Sequence, residues 1–111
     1  MLRWLLNVAV GTYAYKRNPI HVGKLYLKQE VRKFGLDADA FPDNFYSALA
    51  LDAHRQARGW RLFGKPSERT YYVEQLEATA IWMAQAKRGD ASHIPAAVRE
   101  IFERYDLNSR T

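Results

Sequence analysis

The chain of 111 residues contains no cysteine, which excludes a disulfide framework, a thiolate metal site and a cysteine nucleophile. Long hydrophobic runs are also missing. The apolar stretch from Trp4 to Val10 is interrupted by Asn7 and is far shorter than the roughly 20 residues a membrane-spanning helix needs. A lone Arg3 makes a poor leader for a secretory signal. The expectation is therefore a cytoplasmic protein with no membrane span.

Glycine and proline are sparse, at six and four residues, and their spacing excludes the glycine-rich phosphate loops. Gly59 and Gly64 precede Lys65, but no Ser or Thr follows to hold magnesium and no strand pattern comes before. Asp37 and Asp39 have the spacing that opens a calcium loop. Phe41 then stands at the fifth position, no glycine follows at the sixth, and Ala48 occupies the place of the bidentate glutamate. Glu74 and Glu77 share a helix face, yet no Glu followed by His at i+3 accompanies them, as a carboxylate-bridged dimetal site requires. Asp52 and His54 are two residues apart and so point to different sides of a helix. The serines stand in no nucleophile context. The reading is no catalytic set, no metal site and no cofactor, and no motif is specific enough to carry functional residues over from a known family.

What is present is a generous supply of core-forming residues, 48% hydrophobic and 14% aromatic, in a pattern of helical period. The longest such pattern runs from Lys65 to Gly89. Tyr72, Val73, Leu76, Thr79, Ala80, Met83 and Ala84 form one broad apolar arc, leaving a narrow polar wedge of Thr70, Glu74, Glu77, Gln85 and Arg88. A helix over about residues 66–88 is thus expected at the centre of the fold, closed by Gly89.

Four further helices are expected around it. The N-terminal segment through Arg17 reads as a nearly buried helix, with a strand around Gly11 as the competing reading. Asn18 and Pro19 open a second helix, from about Ile20 to Phe34, which ends at Gly35. Within it Gly23 marks either a weak first turn or a close helix contact. A connection from Gly35 to Pro42 leads to a third helix, Asp43 to Arg58 closed by Gly59, whose Ala50, Ala53 and Ala57 permit tight crossing with the long helix. The last helix starts within Asp90 to Pro95 and runs to Tyr105 or Leu107, with a polar tail from Asn108. The expected architecture is a single all-α domain over residues 1–111, a compact bundle of four to five helices.

Seventeen Lys and Arg against twelve Asp and Glu give a net charge of +5, which favours anionic partners. Two groupings of cations stand out. At the end of the third helix and in the connection after it, Arg55, Arg58, Arg61 and Lys65 surround Trp60 and Phe63, a combination of cations and rigid rings that suits an interface hot spot. On the second helix, His21, Lys24, Lys28 and Arg32 repeat at helical spacing and would track a phosphate backbone or an acidic helix. The functional expectation is a non-catalytic interaction module that recognises an acidic or mixed protein surface through Arg58, Trp60, Arg61 and Lys65. The alternative is a nucleic-acid-binding helical domain that uses both groupings.

Overall fold

The computed structural model describes residues 17–60 and 68–107, and Asn18 opens the first helix that lies wholly within them. Its side-chain oxygen accepts the His21 amide at 3.2 Å while Pro19 takes the first helical position, where a missing N–H costs nothing. The helix, α1, spans Pro19–Lys33. Beyond the cap residue Phe34, the amide of Gly35 bonds to the Arg32 carbonyl and that of Leu36 to the Val31 carbonyl, the Schellman pairing. Gly35 has a φ of 81°, so the absence of a Cβ is what permits this stop.

The connection is not featureless. Ala38–Ala40 form a 3₁₀ turn, capped by the Asp37 carboxylate, which accepts the Asp39 amide at 3.0 Å. Helix α2 then runs Asp43–Trp60, α3 is described over Glu68–Lys87, and α4 spans Ala96–Arg104. α3 ends with the same pairing as α1: Gly89, at φ 89°, bonds to the Ala86 carbonyl and Asp90 to that of Gln85. Among the described residues the fold is all-α, a bundle of four helices without a strand. The segment before Arg17, with its helix and strand readings, lies outside the described residues.

α1, α2 and α3 pack on one another, and α4 lies mainly across α2, the helix that contacts the other three. The most extensive pairing is α2 with α3. Ala50, Ala53 and Ala57 of α2 are fully buried, as are Tyr72, Leu76, Ala80 and Met83 of α3. One expectation fails at the end of α2. Gly59 does not close the helix, which continues through Trp60. A glycine permits a left-handed stop but does not impose one, and here the backbone stays helical.

Gly23 is a point of close approach between three helices. A Cβ placed there would overlap the Tyr72 hydroxyl of α3 and lie 3.1 Å from the Ala50 Cβ of α2. Tyr72 cannot swing aside, because its ring is fully buried and its hydroxyl donates to the Pro19 carbonyl at 2.6 Å. Overpacking of this kind costs about 1–3 kcal/mol and removing a helical glycine returns up to about 1 kcal/mol, so Gly23→Ala is expected to destabilise by about 1–2 kcal/mol net. In a Tyr72→Phe background, where the hydroxyl is gone, urea melts should show a smaller penalty. Equal penalties in both backgrounds would refute the steric account.

Candidate interaction surface

Of the residues singled out for partner binding, Arg58 and Trp60 lie at the end of α2. Arg58, in the last turn of this helix, is exposed and forms no ion pair among the described residues. Trp60 is the last residue of α2, not part of the linker as the sequence pattern suggests. Arg61 and Lys65, with the rest of the connection, lie outside the described residues.

A polar contact joins α2 to the first turn of α3. His54, two turns before the end of α2, places Nε2 3.4 Å from the Glu68 carboxylate in the first turn of α3, with both side chains largely withdrawn from solvent. The imidazole also packs edge-on against Tyr72, with ring centres 5.3 Å apart. Burial pushes the His54 pKa below its ordinary value. Glu68 acts in the opposite direction, and the Arg58 guanidinium adds to the lowering. At neutral pH the contact is therefore a hydrogen bond from a neutral ring to a carboxylate. Since Tyr72 in turn holds α1 through Pro19, this polar group joins three helices.

The row on α1 has a different character. Lys24 bonds both oxygens of Asp43 at 3.0 and 2.9 Å, which holds that carboxyl below its usual pKa. Lys28 stands over the Tyr46 ring, 5.3 Å from its centre, and Arg32 lies 3.8 Å from Asp39. His21 remains exposed. Three of the four cations are thus already matched by an acid or a ring of this chain.

Other polar groups were not legible as pairs. Glu77 does not simply face water as its place in the polar wedge suggests: it is half-buried and accepts a hydrogen bond of 2.7 Å from the hydroxyl of Tyr26, a fully buried residue of α1. Glu74 is exposed as expected. One turn beyond Tyr26, Glu30 is buried, with the Lys33 ammonium 2.7 Å from Oε2 but off the line of a good hydrogen bond. None of these pairings joins three or more potential ligands into a metal site among the described residues. No helix described here is long and apolar enough to cross a membrane.

The charge is unevenly divided along the chain. All twelve acids and twelve of the seventeen basic residues fall within 17–60 and 68–107, so this part is neutral overall. The surplus belongs to Arg3, Lys16, Arg61, Lys65 and Arg110. Compared with protein-family models, curated proteins and solved structures, the chain matches none.

Proposed function

We propose that this chain is a non-catalytic helical interaction module that recognises an acidic or mixed protein surface in the cytoplasm, with Arg58, Trp60, Arg61 and Lys65 as its binding residues. The observation that carries this reading is the contrast between the two basic groupings. Lys24, Lys28 and Arg32 are engaged within the chain, whereas Arg58 is exposed and unpaired among the described residues and leads into the two surplus cations Arg61 and Lys65. An engaged cation must give up its partner before it can bind another, and so adds little net affinity. The hold of His54 on Glu68 supports the same reading, since it fixes α2 against α3 one turn from Arg58, and a preorganised surface loses less freedom on binding.

The test is a capture experiment on nuclease-treated native lysate, with the wild-type chain and the double variant Trp60→Ala/Arg61→Ala. The variant is expected to keep its helical circular dichroism and melting temperature while losing at least about 2 kcal/mol of partner affinity, because Trp and Arg dominate interface hot spots. Unfolding of the variant would make the ring part of the core, and normal binding would move the site elsewhere. A captured partner that is removed by nuclease, with affinity falling steeply as salt rises, would favour the nucleic-acid reading.

A further inference from the structure

The outer face shared by α2 and α4 carries a shallow groove of about 190 Å³, lined in part by Leu51, Asp52 and Arg55 of α2 and by Ala97, Glu100 and Arg104 of α4. Leu51 is 40% exposed there, a large apolar side chain in a groove whose lining also includes Ala48 and Ala97. The charges are balanced, two acids and two arginines. Arg104 and Glu100 already form a bridge of 2.8 Å along α4. Asp52 and Arg55 do not: neither has an ion-pair partner within the described residues, although they lie one turn apart on the same helix. Asp52 is half-buried, and burial raises its pKa while the more distant charge of Arg55 opposes the rise. Such a carboxylate gains from a cation brought close.

We infer that this face is the contact of a homodimer with two-fold symmetry, in which Leu51 of each copy enters the other's groove and Asp52 of each copy pairs with Arg55 of the other. The occupant follows from charge complementarity. In a two-fold interface, if residue i meets residue j of the second copy, then j meets i as well. One unmatched acid and one unmatched arginine a turn apart on one helix satisfy that condition twice over. A partner of single-signed charge would leave one of the two repelled. Ala48 and Ala97 leave room in the groove for the other copy's Leu51, and the bridged Arg104 and Glu100 supply a polar rim. This contact uses residues distinct from Arg58, Trp60, Arg61 and Lys65, so its failure would leave the proposed partner site untouched.

Sedimentation equilibrium of the full chain, from about 1 µM to about 1 mM, tests it. The wild type should pass from monomer to dimer within that range. Asp52→Arg and Arg55→Asp should each weaken the dimer at least about tenfold by placing like charges opposite one another. The double swap Asp52→Arg/Arg55→Asp should restore it, and mixing the two single variants should give a heterodimer, because one then presents two cations and the other two acids. Circular dichroism establishes that each variant is folded; should a charge variant misfold, Leu51→Arg serves as a second disruption of the same face. A wild type that stays monomeric throughout, or a dimer indifferent to the single reversals and to Leu51→Arg, would overturn the inference. So would single variants that weaken the dimer without recovery in the swap or the mixture.

Discussion

Truncation of Phe45 to alanine is expected to destabilise the chain by about 3–5 kcal/mol. Phe45 is fully buried near the start of α2 and is the ring around which four others are arranged. Phe41 stacks on it with centres 5.1 Å apart, Tyr46 and Tyr105 meet it edge-on at 5.7 Å each, and Phe102 lies tilted at 6.1 Å. These partners come from the connection, from α2 itself, from α4 and from the residue that ends α4. Loss of the ring removes its transfer energy and leaves a cavity whose walls are rigid aromatics, which collapse poorly into empty space. The effect should reach beyond the site. α4 is short and rests mainly on α2, so the variant should also lose hydrogen-exchange protection in α4 ahead of the other helices. Urea melts provide the first measurement. A loss below about 1 kcal/mol would show that this cluster is not a central part of the core.

Leu76→Ala should cost about 2–5 kcal/mol, by transfer and cavity terms at the middle of α3. Leu76 is fully buried and lies one turn from each of two other fully buried residues, Tyr72 and Ala80. The wide range reflects how far the neighbours can move in. A loss under about 1 kcal/mol would contradict the assignment of this face of α3 to the core.

The features legible in the sequence are those whose physics is local. Asn18 and Pro19 start α1 because a side-chain acceptor and a fixed dihedral act within one turn. Gly35 and Gly89 end α1 and α3 because a left-handed residue costs least at glycine. The alanine face of α2 and the apolar arc of α3 follow from helical period, and both are buried as expected. Even local rules leave choices open, however. Gly59 has the same chemistry as Gly35, yet α2 runs through it. Asp106, not a glycine, takes the positive φ of 58° after α4.

The candidate site was legible in its residue types and not in its surroundings. A basic row at helical spacing looked available on α1, but Asp43 is 19 residues from Lys24 and nothing in either local pattern indicates that they meet. His54 and Glu68 stand on opposite sides of a connection, and Tyr26 and Glu77 are 51 residues apart. By itself the sequence determined which stretches are helical, where several of them stop and which faces they bury, since backbone hydrogen bonds and side-chain period act over three to six residues. Only the tertiary structure decided which cations are engaged, that Gly23 admits no side chain and that Asp52 and Arg55 are left unmatched beside a groove. Those outcomes depend on the rotation and crossing of whole helices, which all of their contacts set together and no single segment encodes.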